Sequence, residues 1–396
     1  MSQASASSQT NMKRPSAPGQ RDRTDLRSAG RKFAFGYFFG VRNGFSFRDL
    51  AEQYAPFLKE VYFPWPGLLS ARVLSGDPVP QRKQLADDLR FCRSKGMALD
   101  LLVNATCYGD KAFTADQKKD YFANLKEMGD SGIMPEIVTT TSPYIATISK
   151  KYDGSIDRRA SVNMRLNSTI AMEYVADEFD SFYISRDLQR DLPTVKMFAE
   201  WGKKNNRKIC MLANSGCLRN CPWQTFHETL LAHKSIFVQG EEQQQAIREM
   251  MAIQMHPTLC IELAKNKQYE EILRATWIRP EDLFRYDPYI SVFKLSTREA
   301  DRPDLILKAY TSGSFDGNLL RILDPGFHPF FPTRIFDNKA FPKEWSEGKI
   351  AGACAANCTH CGKCTEVLNL VLKRDPGLPD VTGYSVAPPK PIVMPG

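Results

Sequence analysis

Four cysteines within eleven residues, Cys354, Cys358, Cys361 and Cys364 in Ala-Cys-Ala-Ala-Asn-Cys-Thr-His-Cys-Gly-Lys-Cys, carry the strongest chemical signal in this chain. Thiols at C-x3-C-x2-C-x2-C spacing can converge on one soft metal centre, because two intervening residues let a tight turn point both sulfurs inward. A second thiol pair, Cys217-Leu-Arg-Asn-Cys221-Pro, lies upstream, and Cys92, Cys107, Cys210 and Cys260 complete a total of ten cysteines. Zinc knuckles separate their C-x2-C pairs by about a dozen residues or more, so an unbroken run of four favours an iron–sulfur segment over zinc. Two thiol groups lead to the expectation of two 4Fe-4S clusters, with zinc as the alternative at the C-terminal site. The Cys354-x3-Cys358-x2-Cys361 portion also has the spacing of radical S-adenosylmethionine enzymes. In those enzymes the motif follows the first barrel strand, whereas here it lies far downstream and Cys364 can close the site.

A disulfide framework is the competing reading of so many thiols. It needs an oxidising compartment, and nothing at the N-terminus has a secretory pattern: 1–32 is rich in Ser, Gln and Arg and has no apolar core. No run of about 18 apolar residues is present to span a membrane. The expected location is therefore cytoplasmic. The chain has 396 residues with 53 Lys+Arg against 45 Asp+Glu, a net charge of +8. Residues 1–32 hold seven basic and two acidic residues, so five of those eight charges belong to a basic tail, and the remainder makes a weak case for nucleic acid. The expected division is a disordered basic tail over 1–32, a main domain over 33–323, and a linker with the cysteine-rich segment over 324–396.

The elements that must position these residues show as an alternation. Short apolar or β-branched stretches occur at Phe33–Val41, Val61–Trp65, Ala98–Val103, Glu136–Thr140, Ala160–Met164, Ser181–Ser185, Lys208–Ala213 and Ser291–Leu295. Between them, Phe47–Lys59, Pro80–Lys95, Ala115–Asp130, Asp187–Lys204 and Arg298–Ser312 repeat apolar residues at three- and four-residue intervals, which predicts helices. Strand–helix alternation requires crossovers that lay the strands parallel. Eight units predict an α/β fold, a (β/α)8 TIM-like barrel with a small ferredoxin-like extension; an open doubly wound sheet is the alternative. In a barrel the chemistry gathers where strands end. Asn104, Cys107, Thr139 to Ser142, Arg165, Asn167, Arg186, Asp187, Asn214 to Cys221, Lys294 and Arg298 all fall there, although Ser142 before Pro143 and Asp187 before a helix also suit plain capping. Asp324-Pro-Gly-Phe-His-Pro-Phe-Phe-Pro-Thr then reads as a connector pressed against a surface.

The run Asn214-Ser-Gly-Cys217-Leu-Arg-Asn-Cys221-Pro222 with His227, then Cys260, Trp277-Ile-Arg-Pro-Glu-Asp282, Phe293-Lys-Leu-Ser-Thr-Arg298 and Ala309-Tyr310 resembles peptidase family U-32, the collagenase-like peptidases. The resemblance covers roughly Phe33 to Leu323 and is strongest from Ser181 onward. It implies a TIM-like barrel holding a 4Fe-4S cluster through four cysteines, and oxygen-independent hydroxylation, since characterised relatives act in ubiquinone synthesis or on RNA bases. Residue by residue, it implies Cys217, Cys221 and Cys260 as ligands, with Cys107 or Cys210 as the fourth. Cys210 lies within an apolar stretch that suits a buried structural thiol, which favours Cys107. The chain departs from the family in lacking the glutamate and glycine pattern before the first cysteine, and its C-terminal thiols are an addition.

The resulting expectation is an iron–sulfur redox enzyme that hydroxylates or otherwise modifies a small aromatic metabolite or an RNA base, with the C-terminal cluster relaying electrons from a donor such as ferredoxin. Arg186, Arg279, Lys294 and Arg298 would hold the substrate's anionic groups, because guanidinium forks match carboxylate and phosphate. His227 would orient a ligand or relay a proton. Arg279 has a competing local role, pairing with Glu281 and Asp282. Two other classes stand beside this one: an electron-transfer or scaffold subunit working with a homologous partner, and a zinc-stabilised RNA-binding or protease-like protein. Peptidase chemistry is not expected, because no His-Glu-x-x-His and no nucleophile elbow occurs.

Overall fold

The computed structural model describes residues 30–71, 78–237, 245, 249, 258–346 and 361–377. Eight parallel strands close into a barrel: β1 (Phe33–Gly36), β4 (Leu58–Phe63), β5 (Ala98–Val103), β6 (Ile137–Thr140), β7 (Asp157–Ala160), β8 (Ser181–Tyr183), β9 (Lys208–Leu212) and β10 (Val292–Lys294). Each pairs with the next in chain order, and β10 returns to β1 through Phe33 opposite Phe293 and Ala34 opposite Lys294. The small hairpin of β2 (Val41–Arg42) and β3 (Phe45–Ser46) rises from the loop after β1.

Local chemistry starts and stops the helices. Ser46 caps α1 (Phe47–Tyr54) with a capping box: its hydroxyl accepts from Asp49 N, and the Asp49 carboxylate accepts from Ser46 N at 2.8 Å. Helix α2 spans Pro78–Ser94, and Thr114 caps α3 (Ala115–Asp130). Ser142 caps α4 (Pro143–Tyr152), where proline fills the first turn. The short α5 (Thr169–Glu173) follows β7, and Asp191 caps α6 (Leu192–Lys204). After β9 come α7 (Gln224–Phe237), α8 (Leu259–Lys265) and α9 (Glu270–Arg274). Helix α10 (Pro303–Ser312) begins at a proline and ends at Gly313, whose φ of 68° is the left-handed conformation that glycine adopts without strain.

Alternate residues of each strand face opposite ways. One set, including Phe33, Phe35, Val61, Leu99, Leu101, Val138, Ile209 and Phe293, packs with the helices in the main apolar core. The other set, Ala34, Tyr62, Leu102, Tyr183, Cys210, Leu212 and Val292, forms a separate cluster inside the barrel. In the connector after residue 323, Phe327 and Phe331 are buried, and Phe331 is packed 4.2 Å from Tyr269 between ring centres. Beyond it β11 (Arg334–Phe336) and α11 (Lys343–Ser346) precede α12 (Lys363–Val371), which packs on α9 and leads into β12 (Leu372–Arg374), antiparallel to β11. The ferredoxin-like extension is not seen in this segment: Cys361 and Cys364 flank the start of α12, while Cys354 and Cys358 lie outside the described residues.

Candidate active site at the barrel mouth

The inside of the barrel is ionic. From β7, Arg159 donates to both Glu60 oxygens on β4, at 2.6 and 3.0 Å, and to Ser181 Oγ on β8 at 2.9 Å. Asp100 on β5 accepts from Thr139 Oγ1 at 2.7 Å, and its second oxygen stands 3.8 Å from Arg159 Nη1 without a hydrogen bond. Burial pushes the Asp100 carboxyl up to about 6, against the pull of Arg159 and Lys294.

Lys294 ends β10 and stands above this layer at the C-terminal end of the barrel, where barrel enzymes do their chemistry. Its Nζ lies 3.8 Å from the centre of the Tyr62 ring and 5.4 Å from that of Tyr183. The side chain is partly open, yet makes no hydrogen bond or ion pair to any described residue. Burial lowers its pKa to about 8; Arg298 and Arg159 push the same way, while Asp100 and Glu60 oppose. Tyr183 carries a buried hydroxyl that also has no hydrogen-bond partner. Tyr62 is held in place by donating to Leu295 O at 2.7 Å and accepting from Thr297 N at 3.3 Å.

Gly36 makes room for this arrangement. A Cβ there would stand 2.5 Å from the Tyr62 ring and hydroxyl and 2.8 Å from Arg298 Cγ. Gly36→Ala is therefore expected to destabilise the fold by about 1–3 kcal/mol through overpacking, and to shift Tyr62 from beneath Lys294. Urea denaturation checks the first effect. The second reads out as a change in the Lys294 titration, followed by NMR.

Helix α7 and the loops after β5, β7 and β8 cover one side of the mouth. Thr229 on α7 lies 3.3 Å from Thr106 of the β5 loop, hydroxyl to hydroxyl, and Arg165 reaches Thr225 and Asp187, each at 3.3 Å. Arg186 is buried and donates to Glu228 of α7 at 2.7 Å, to Asn163, and to Cys217 Sγ at 3.5 Å. Asp187 accepts from Asn220 N at 2.7 Å, which ties the segment between Cys217 and Cys221 to the β8 loop. Asn214 pins the β9 loop by accepting from Ser296 N at 2.7 Å and donating to Ile322 O at 3.1 Å.

The expected ligands fall into separate places. Cys217, Cys221 and Cys260 are neighbours: burial first, then Cys217 and Cys221, pushes the Cys260 thiol up to about 12. Burial also raises Cys221. Cys107 sits in the β5 loop, accepting from Gly109 N at 3.4 Å, and Cys210 is sealed inside the barrel beside Arg159. A metal or cluster needs deprotonated thiolates converging on one centre. Among the described residues no group of three or more His, Cys, Asp or Glu side chains is arranged to hold a metal ion. The described thiols as they stand are not arranged to hold one, and no chemical step below passes through a metal or cluster.

Arg186, Lys294 and Arg298 lie on the mouth-side ends of β8 and β10 and the loops that follow them. Arg279 is elsewhere, forked onto Asp282 at 2.9 and 3.1 Å and bonded to Asn338 O at 3.2 Å, with the Phe341 ring against it. That is the local ion pair its sequence context allowed. His227 lies in the first turn of α7, its N–H donating to Trp223 O. Sequence reasoning missed Glu60, Asp100, Arg159, Tyr62, Tyr183 and Glu228. Its available signal was a charged residue alternating with apolar ones, as in Leu58-Lys-Glu-Val-Tyr-Phe63 and Ala98-Leu-Asp-Leu-Leu-Val103.

Fold and site together define a (β/α)8-barrel protein with an ionic interior and, at its mouth, a lysine that pairs with no acid among the described residues. The chain resembles the U32 peptidases. It is 23% identical to the uncharacterized protease MJ1657 of Methanocaldococcus jannaschii over 304 residues, 74% of this chain and 83% of that protein. No family model matches it. Among solved structures, the U32 peptidase Mk0906 aligns with TM-score 0.45 and 14% identity over 72% of this chain and 98% of its own. XacCel5A in complex with cellopentaose aligns with TM-score 0.30 and 13% identity over 52% and 85%.

These findings correct the expected function. The relative is named a protease, and the described thiols form no metal-holding group, so the iron–sulfur hydroxylase with an electron relay, and with it the electron-transfer subunit and the zinc-stabilised RNA-binding protein, give way. The exclusion of peptidase chemistry rested on the absence of His-Glu-x-x-His and of a nucleophile elbow, and the likeness to a protease counts against it. No described helix is long and apolar enough to cross a membrane.

Proposed function

We propose that this chain is a barrel enzyme that uses the Lys294 amine as a general base to cleave an amide bond in a peptide-like substrate bearing a carboxylate. The observation that carries the reading is the placement of Lys294: at a strand's C-terminal end, partly open, stacked on Tyr62, and without a hydrogen bond or ion pair among the described residues. The name of the M. jannaschii relative supports the amide as the bond class.

In this reading the free amine takes a proton from the attacking water. The unpartnered Tyr183 hydroxyl donates to the carbonyl oxygen as it gains charge, and the Lys294 ammonium then returns its proton to the leaving amine. Arg298, 7% exposed and close enough to lower the Lys294 pKa, places positive charge beside the amine to hold a substrate carboxylate. Metal binding by Cys354, Cys358, Cys361 and Cys364 remains part of the proposal on spacing alone, as a clip for the C-terminal segment, and zinc and iron counting tests it.

The main test is incubation of the purified chain with a diverse peptide mixture, reading new termini by mass spectrometry across pH. New termini are expected, with an initial rate that rises as pH approaches about 8 and then levels. A protein that generates no new termini at any pH overturns the reading.

A further inference from the structure

Amide cleavage uses Lys294 only as a base, but the same geometry exposes it as a nucleophile. Three polar groups inside the barrel have no hydrogen-bond partner among the described residues: the Lys294 amine, the hydroxyl of Tyr183, whose ring centre lies 5.4 Å from that amine, and the second Asp100 oxygen, 3.8 Å from Arg159. Each comes from a different strand of the closed barrel. An amine with no hydrogen bond to surrender, backed by the face of Tyr62, is poised to add to a carbonyl carbon.

We infer that Lys294 captures small carbonyl compounds carrying a carboxylate, the 2-oxo acids, as an imine. This activity goes beyond amide cleavage and does not depend on it. In the first step the nitrogen lone pair forms the N–C bond, the C=O π pair moves onto oxygen, and a proton passes from nitrogen to that oxygen. In the second step the C–O bond breaks as a solvent proton, relayed through the Tyr183 hydroxyl, is delivered to the departing oxygen. Water leaves, the nitrogen lone pair closes C=N, and the iminium cation rests over the Tyr62 ring. No oxidant or reductant is consumed. Arg298 supplies the charge for the carboxylate, and Glu60 and Arg159 complete the groups that face the lysine.

The depressed proton affinity of Lys294 supports the inference by leaving free amine available near neutral pH. Exposed lysines do not compete. Lys126 and Lys339 are exposed and paired with Asp130 and Asp316, so they remain protonated and unselective.

The experiment is reductive trapping. The whole chain is incubated with pyruvate and sodium cyanoborohydride near pH 7, then digested and mapped by mass spectrometry. The expected result is a carboxyethyl group on Lys294, formed at least tenfold faster than on Lys126 or Lys339. Acetone, which lacks the carboxylate, should label Lys294 more slowly than pyruvate does. In Tyr183→Phe the labelling should slow while the exposed lysines react as before. Mapping the unaltered chain assigns the site even if a variant fails to fold. Labelling of Lys294 no faster than of the exposed lysines overturns the inference, and so does equal reactivity of acetone and pyruvate. An adduct on Lys294 in a protein that cleaves no peptide supports this inference while overturning the hydrolytic reading, so the two fail separately.

Discussion

Lys294→Met is expected to lower turnover of any cleaved peptide by about 10²–10⁴-fold, the range a positioned proton acceptor contributes, while substrate binding changes less. Methionine keeps the stem on Tyr62 and removes the amine. The pH response should distinguish this from a packing defect. In the unaltered chain the rate should fall about tenfold for each pH unit below about 8, as Lys294 takes up a proton, and the residual rate of the variant should lose that dependence. Stability should move the opposite way to a simple loss of contacts. A lysine whose folded-state pKa is lowered burdens the folded state while both states are protonated. That burden is relieved as pH rises from about 8 toward the ordinary lysine value, so the unaltered chain should gain stability across that window and Lys294→Met should not. Asp100 has the opposite sign: with its pKa raised to about 6, its burden is relieved as pH falls through 6. Steady-state kinetics and urea denaturation across pH check both parts. Unchanged turnover in the variant would remove Lys294 from the chemistry.

Arg159→Met should be the most destabilising single change in the barrel interior, costing about 3–5 kcal/mol, because it leaves the buried Glu60 and Asp100 carboxylates without their cation. Arg159 and Glu60 are 1% and 3% exposed, so water cannot take over the role of the guanidinium. Adding Glu60→Gln to Arg159→Met should recover a large part of the loss by removing one orphaned charge. Urea midpoints of the two single variants and the double variant measure this. A loss below about 1 kcal/mol in Arg159→Met would mean that the ionic layer behaves like a solvated surface pair.

The barrel was legible because its signal is local. All eight expected strands have counterparts, and Ala98–Val103 and helix Ala115–Asp130 agree at both ends. The fifth strand is the instructive displacement. Apolar character pointed to Ala160–Met164, whereas the strand is Asp157–Ala160, and residues Val162–Met164 form a single 3-10 turn. Its two arginines face opposite ways: Arg158 is forked onto Asp180 at 2.7 Å, and Arg159 is paired with Glu60 inside the barrel. Paired charges fit a buried strand that hydrophobicity alone passes over. Two helices start later than their periodicity suggested. The segment after Arg186 makes a 3-10 turn before Asp191 caps α6, and Pro303 sets the start of α10.

Chain order, spacing and periodicity by themselves determined the closed α/β barrel and the gathering of Lys294, Arg298, Arg186 and Cys217 near strand ends, because those depend on which residue follows which element. Only the tertiary structure decided which side chains meet. Glu60 and Arg159 are 99 residues apart, and Lys294 finds Tyr62 and Tyr183 across the barrel from other strands. Thiol spacing described what four cysteines could hold, but convergence is a distance between folded segments, and burial rather than spacing sets the protonation of Cys221 and Cys260. The unpaired amine of Lys294 arises in the same way: closing eight strands removes water from a group whose own neighbours in sequence offer it no partner.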